Sequence, residues 1–184
     1  MITVKITDGG VKQALSRISQ RMSDPSPVML AIAEALQAQT DDNFANQSGP
    51  LGKWPALKSP KKGRGTNPQI LVHIGHLKAS IGTTHSRNTA AIGTNLVYAA
   101  VHQFGGKINM PARSQLSYFK QQKDGSVGRL FVRKSASNFA QWHTRGESTI
   151  NMPARPFLPF ANGKLQDGME SRIMAEIAKF LIGD

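Results

Sequence analysis

One hexapeptide occurs twice in the sequence, and this repeat constrains how the middle of the chain can fold. Ile-Asn-Met-Pro-Ala-Arg occupies residues 108–113 and again residues 150–155. Because proline has no amide hydrogen to donate to a β-ladder, each copy is predicted to begin as a strand and to leave its sheet at Pro111 or Pro153. The period occurs only once, which excludes a solenoid. We interpret the copies as two similar strand ends that bracket an inserted hairpin region, residues 114–149.

The insert has strand and turn signals of its own. Residues 116–120 and 129–133 are rich in apolar and basic side chains, and a turn-like Lys-Asp-Gly-Ser lies between them at residues 123–126. Two such runs around a turn are typical of a β-hairpin. The pattern therefore predicts that residues 116–120 pair with residues 129–133.

Apolar residues recur at helical spacing near both ends of the chain. A helix is predicted after Gly10 with Val11, Leu15, Ile18 and Met22 on one side, a second from Pro27 to Phe44, and a third over residues 165–181. Short strands are predicted at residues 80–84 and 89–94. The fold class is therefore α+β, with a small, mostly antiparallel sheet packed by a long N-terminal helix and a C-terminal helix. The apolar stripes are expected to form core or subunit contacts.

The length of the chain favours a single domain, because 184 residues support one sizeable core. Residues 1–184 are thus predicted to form one α+β domain. Residues 47–69 contain four Pro, four Gly and no acid. Such a segment cannot be a regular helix or a central strand, and it is predicted to be an extended basic arm. Within it, Trp54 and Leu57 are the predicted anchors for a partner.

The arm is basic, as is the whole middle of the chain. Four of its side chains are predicted to attract the partner through their positive charge: Lys58, Lys61, Lys62 and Arg64. The net charge of the chain is +12, and residues 51–155 hold sixteen basic and two acidic side chains. A segment with so few acids is expected to present a positive face to phosphates or to an acidic protein. A solvated surface that only keeps the chain in solution is the alternative.

The sequence offers no arrangement of residues that supports catalysis. It has no Cys, which excludes disulfides and thiolate metal sites, and it has no complete phosphate-loop, Gly-x-Ser-x-Gly or His-Glu-x-x-His motif. His73 and His76 have a metal-like spacing but no third ligand nearby. We therefore expect no enzymatic activity, cofactor or metal. No apolar run reaches the roughly 18 residues needed to span a bilayer, so no membrane partner is expected.

Four motifs follow one another along the chain. They are Gly52-x-Trp54-x-x-Leu57, Ile70-Leu71-Val72-x-x-Gly75-x-Leu77-x-x-Ser80-Ile81, Tyr98-Ala99-x-x-His102-Gln103-Phe104-Gly105-Gly106, and Met152-Pro153-Ala154-Arg155-Pro156-Phe157-Leu158. In this order they resemble the phage virion morphogenesis family, which groups tail completion proteins of P2-like phages with the G-type morphogenesis protein of Mu-like phages. The hairpin insert departs from the pattern of that family.

The resemblance implies a structural protein of the phage neck or tail end, acting in tail completion, tail termination or head–tail joining. It implies a homo-oligomeric ring, commonly sixfold, that surrounds the DNA channel and contacts neighbouring neck and tail proteins. The protein would be assembled in the host cytoplasm and located in the virion, with non-specific DNA contacts in the channel. A non-specific DNA-binding protein and an early head morphogenesis factor are the alternatives.

Individual motif residues carry separate predictions. Phe104, Phe157 and Leu158 are expected in the core. His102, Gln103 and Arg155 are expected to fix strand and helix ends with their polar groups. A competing interpretation places Arg113 and Arg155 at a subunit interface, where a guanidinium binds carboxylates or carbonyls. The remaining members of the structural motif are Tyr98, Gly105, Gly106 and Pro153.

Overall fold

The computed structural model describes residues 9–57 and 69–183, which form two compact units. The first unit runs up to Gly105 and resumes at Pro153, and the second unit is Gly106–Met152. Helices and small antiparallel sheets confirm the α+β class. The strands of the described residues pair two by two, in five antiparallel pairs, rather than in one small sheet. The second unit is wider than the predicted insert at residues 114–149, because both hexapeptide strands belong to it.

The three long helices lie where the apolar spacing predicts them. They are α1 (Val11–Met22), α2 (Ser26–Asn46) and α5 (Met169–Ile182). A short linker separates α1 from α2, and within it Asp24 Oδ1 accepts hydrogen bonds from the amide (3.1 Å) and the hydroxyl (2.6 Å) of Ser26. Proline is tolerated in the first turn of α2, because the amide it lacks would have no helical acceptor there.

Helix α2 supplies the centre of the first unit. It packs against α5 and against the hairpin formed by β3 (Ile81–His85) and β4 (Ala90–Thr94). One end of α2 contributes to a cluster with the buried Met169 of α5, and the other end places Phe44 in a second cluster. The second cluster consists of Phe44, Trp54, Ile70, Leu77, Ile81, Ala99, Phe157 and Leu158.

Short elements complete the first unit. They are β1 (Ser48–Gly49), β2 (Gly52–Lys53), α3 (His76–Ala79), α4 (Ala99–Phe104), β9 (Phe160–Ala161) and β10 (Lys164–Leu165). Strands β1 and β2 pair with each other. The first residues of the predicted arm therefore form a short β-hairpin. Residues 58–68 of the arm lie outside the described residues.

The two hexapeptides pair with each other in the second unit. Strand β5 (Gly106–Met110) is antiparallel to β8 (Ser148–Met152), with Ile108 opposite Ile150. Strand β6 (Arg113–Phe119) is antiparallel to β7 (Phe139–Arg145). Partner residue numbers have the same sum in both pairs, so the four strands form one ribbon in a single register. As predicted, both copies begin as strands that end before their prolines.

The predicted pairing of residues 116–120 with 129–133 is wrong. Strand β6 pairs with β7, since the register set by the hexapeptide pair continues along the ribbon. Residues 129–133 instead form a loop in which the Val132 amide donates to the Tyr118 carbonyl at 2.9 Å. The ring of Phe131 lies 5.2 Å from that of Phe119 and 6.1 Å from that of His143. Phe131 thus packs on the face of the ribbon that carries Phe119 and His143, and it lies outside the ladder between β6 and β7.

Candidate functional site

The motif after the second hexapeptide is a buried loop. Residues 155–159 are all buried although they belong to no helix or strand. Buried backbone amides and carbonyls must find partners, because leaving one unpaired costs about as much as a lost hydrogen bond. The partners of this loop are side chains of the motif residues Trp54 and Gln103, the Asn43 side chain of α2, which donates to the Phe157 carbonyl at 3.1 Å, and backbone groups of His102 and Gln166. Motifs that lie far apart in the sequence are therefore joined by hydrogen bonds in the structure.

Gln103 on α4 holds the centre of the loop. Its Oε1 accepts hydrogen bonds from the amides of Phe157 (2.9 Å) and Leu158 (3.1 Å), and its Nε2 donates to the Phe160 carbonyl at 2.9 Å. The next residue but one, Gly105, ends the helix with φ 71°, a conformation that favours glycine. The prediction that Gln103 fixes chain ends is confirmed, as is the burial of Phe157 and Leu158.

Trp54 and Arg155 hold the loop from the opposite side. Trp54 Nε1 donates to the Pro156 carbonyl at 2.9 Å, and the indole is 5% exposed. The prediction of Trp54 as an anchor for a partner is therefore corrected, because its ring packs edge-on against Phe44 in the core. Leu57 is half-buried and also packs against this core. Arg155 donates to the carbonyls of Pro55 (2.9 Å) and Ala56 (3.2 Å), which favours its structural role over the interface role.

Phe104 was expected in the core, and this expectation is wrong. Its side chain is 67% exposed, whereas the preceding Gln103 is 3% exposed. The two residues point to different sides of α4, since consecutive side chains on a helix lie about 100° apart. Gln103 lies on the buried side of this short helix, because its side-chain amide hydrogen-bonds to the loop.

His102 lies on the same helix in a half-buried position. Its carbonyl accepts a hydrogen bond from the Arg155 amide at 2.7 Å, and its ring lies edge-on to that of Tyr98, which is 45% exposed. Its buried Nδ1 has no hydrogen-bond partner among the described residues. Burial, followed by the nearby Arg155 cation, lowers the pKa of His102 from its ordinary 6.5. The neutral imidazole is thus favoured in the folded chain.

The four basic side chains of the arm that were predicted to attract a partner lie outside the described residues. They are Lys58, Lys61, Lys62 and Arg64. The predicted interface residue Arg113 is exposed at the start of β6, in the second unit. The arginines of the two identical hexapeptides thus have different surroundings, with Arg155 buried and Arg113 exposed. No signal within the hexapeptide distinguishes them.

Each part of the second unit's ribbon has a polar and an apolar face, since side chains alternate across a strand. In β5–β8, Ile108 lies opposite Ile150, while Lys107 lies opposite Asn151. In β6–β7, the apolar side carries the pair Leu116–Trp142 and the pair Tyr118–Ala140. The other side carries the polar pairs Arg113–Arg145, Gln115–His143 and Ser117–Gln141 and, at the end of the ladder, the pair Phe119–Phe139. The ribbon is therefore amphipathic except at the pair Phe119–Phe139, where Phe131 packs on the otherwise polar face.

Charge and exposure make this ribbon the strongest candidate interaction surface. The second unit holds eight Lys and Arg against two Asp and Glu. Arg113 and Arg145 face each other, an arrangement of like charges that is unfavourable without an anion, and no carboxylate of the described residues pairs with either. Trp142 is 67% exposed and Leu130 is 81% exposed. Sequence reasoning missed Trp142, whose place opposite Leu116 depends on the register.

The described residues contain no group of three or more His, Asp or Glu that could hold a metal ion. Within the same ranges, no helix is long and apolar enough to cross a membrane.

A family profile and two known proteins match this chain, and all three are of phage or prophage origin. The profile of the phage virion morphogenesis family matches residues 6–179, a range that includes the second unit. Mu-like prophage FluMu G protein 2 of Haemophilus influenzae is 36% identical over 120 residues, covering 61% of this chain and 81% of that protein. "Putative capsid assembly protein G" of Escherichia phage Mu is 36% identical over 89 residues, covering 45% of this chain and 57% of that protein. No solved structure matches the chain.

Proposed function

The chain belongs to the phage virion morphogenesis family, and on this basis we propose that it acts as a structural protein at the neck or tail end of the virion. In this role it completes or terminates the tail so that the tail joins a DNA-filled head. Identical copies form a ring around the DNA channel and contact the neighbouring neck and tail proteins. Morphogenesis requires surfaces that bind other macromolecules, and the described residues provide such surfaces.

The amphipathic ribbon of the second unit is the observation that carries this proposal. A protein that lines a DNA channel needs cations with no internal partners, and Arg113 and Arg145 meet this requirement. It also needs apolar area to bind its neighbours, and Trp142 on the opposite face is exposed. The two requirements are separated onto two faces of one element. A ring can therefore direct the polar face to the channel and the apolar face to protein.

Electron microscopy of a phage that lacks this gene tests the proposal. We expect headless tails beside DNA-filled heads, and density for the protein at the neck of wild-type particles. Complementation with Arg113→Ala combined with Arg145→Ala should lower the yield of joined particles. Lys123→Ala, which removes a cation from the exposed turn, is the matched control and should complement normally. Normally joined particles in the absence of the gene would reject the proposal.

A role in early head morphogenesis is the second candidate, since the phage Mu relative carries the description of a capsid assembly protein. The same experiment distinguishes the two roles. Loss of the gene would then leave few or no heads, whereas a neck or tail role leaves heads filled with DNA. Non-specific DNA binding as the main function predicts tight duplex binding by the isolated protein, with an affinity that falls steeply as salt increases.

A further inference from the structure

Helix α1 carries an apolar stripe that is largely exposed among the described residues. Val11, Leu15, Ile18 and Met22 recur at spacings of four, three and four residues, which places them on one side of the helix. Val11 is 66%, Leu15 61% and Met22 62% exposed. Helix α1 contacts α5, where Arg21 Nη1 donates to the Phe180 carbonyl at 2.7 Å, and Ile18 is part-buried. Most of the stripe is thus available to another molecule.

The charges of α1 and α2 are complementary. Helix α1 contains Lys12, Arg17 and Arg21 and no acid. Helix α2 contains Glu34, Asp41 and Asp42 and no base. These helices occupy consecutive parts of one chain, so each copy of the protein carries both a basic helix and an acidic helix.

The outward side of α2 offers a surface that suits α1. Leu30 is 42% exposed, and Glu34, one turn further along the same side, is exposed as well. Asp42 is also exposed, while Asp41 forms an ion pair with Lys78 at 3.2 Å. An exposed leucine with a carboxylate one turn away can accept a helix whose apolar stripe is flanked by a cation such as Lys12. A second copy of this chain carries a helix with this chemistry.

We propose that α1 of one copy docks on the outward side of α2 of the next copy. The contact joins two different surfaces, so every copy keeps one unused α1 and one unused α2 until the assembly closes. Repetition therefore generates a ring if the rotation between copies closes, and a filament if it does not. This inference specifies the subunit contact of the ring in the proposed function and depends on that ring.

Cysteine cross-linking tests the contact in the full-length chain, which contains no natural Cys. A chain carrying Leu15→Cys is mixed with a chain carrying Leu30→Cys, and the mixture is oxidised. Both side chains are exposed, so the substitutions should preserve the fold, and circular dichroism verifies this. We expect a disulfide-linked dimer of the two different chains. Leu130→Cys, at an exposed apolar position of the second unit, is the matched control and should give no such product with Leu15→Cys.

Charge exchange gives an independent readout. Glu34→Lys should lower the yield of the cross-linked dimer several-fold, and Lys12→Glu on the other chain should restore it. Absence of the mixed dimer overturns the contact, as does a product formed mainly between two Leu15→Cys chains. Binding of α1 to vesicles of anionic phospholipid in place of cross-linking overturns it too. These results are distinguishable from failure of the proposed function, which is judged by joined particles in infected cells.

Discussion

Replacing Gln103 by alanine should strongly destabilise the first unit, because the side chain serves a buried loop rather than its own helix. The substitution removes the acceptor for the amides of Phe157 and Leu158 and the donor to the Phe160 carbonyl. Each buried polar group left without a partner costs roughly 1–3 kcal/mol. Allowing for partial relaxation, we expect a loss of about 3–5 kcal/mol, a large fraction of the about 5–15 kcal/mol typical of domains.

The adjacent Phe104 provides a matched control in the same helix. Phe104 is 67% exposed, and substitutions at exposed positions usually change stability by about 0.5 kcal/mol or less. A core phenylalanine would instead lose about 3–5 kcal/mol on replacement by alanine. We therefore expect the polar residue to matter far more than the aromatic one, which reverses the order that hydrophobicity alone would give.

Urea denaturation followed by tryptophan fluorescence measures both effects. The chain has two tryptophans, and Trp54 lies in the first unit while Trp142 lies in the second. In a Trp142→Phe background the fluorescence reports on the first unit through the buried Trp54. A loss below about 1 kcal/mol for Gln103→Ala would refute the reasoning, given the cost of unpaired buried groups. Equal losses for Gln103→Ala and Phe104→Ala would refute it as well.

Three further predictions concern the same unit. Gly49→Ala should cost about 3 kcal/mol or more, measured by calorimetry, because the added Cβ would overlap the Pro156 carbonyl oxygen, a backbone atom that cannot easily move. Because the pKa of His102 is lowered on folding, the unfolded chain binds its proton more readily, and stability should fall as the pH drops below about 6.5. His102→Gln should reduce this decline in denaturation midpoints measured between about pH 7 and 5. Arg155→Lys should cost roughly 1–2 kcal/mol in urea denaturation, since an ammonium cannot reproduce the two guanidinium bonds to neighbouring carbonyls.

The helices could be predicted because their stabilising pattern is local. Residues on α2 that recur every 3.6 positions are those that meet α5 and the β3–β4 hairpin, so the spacing alone indicates the element. The strands of the hexapeptides could be predicted for a similar reason, since proline marks where a ladder must end. The order of the four motifs was enough to indicate the family.

The pairing within the second unit could not be predicted from local pattern. Residues 129–133 have the composition of a strand, but the register imposed by Ile108 and Ile150 gives β6 a more distant partner. Trp54 likewise lies within a segment rich in Pro and Gly, a composition typical of an arm that binds a partner, whereas its indole hydrogen-bonds to the Pro156 carbonyl about a hundred residues later. The strand register and this hydrogen bond depend on tertiary packing, which cannot be read from the composition of a local segment.

The antiparallel pairing of the hexapeptides also brings the two ends of the second unit together. Gly106 and Met152 are partners across the ribbon, so its first and last residues lie about 5 Å apart. A closure this short can be made by a tight turn, with little entropic cost to the rest of the chain. A change in the length of the segment between these two residues can thus leave Gly105 and Pro153, the residues on either side, where they are.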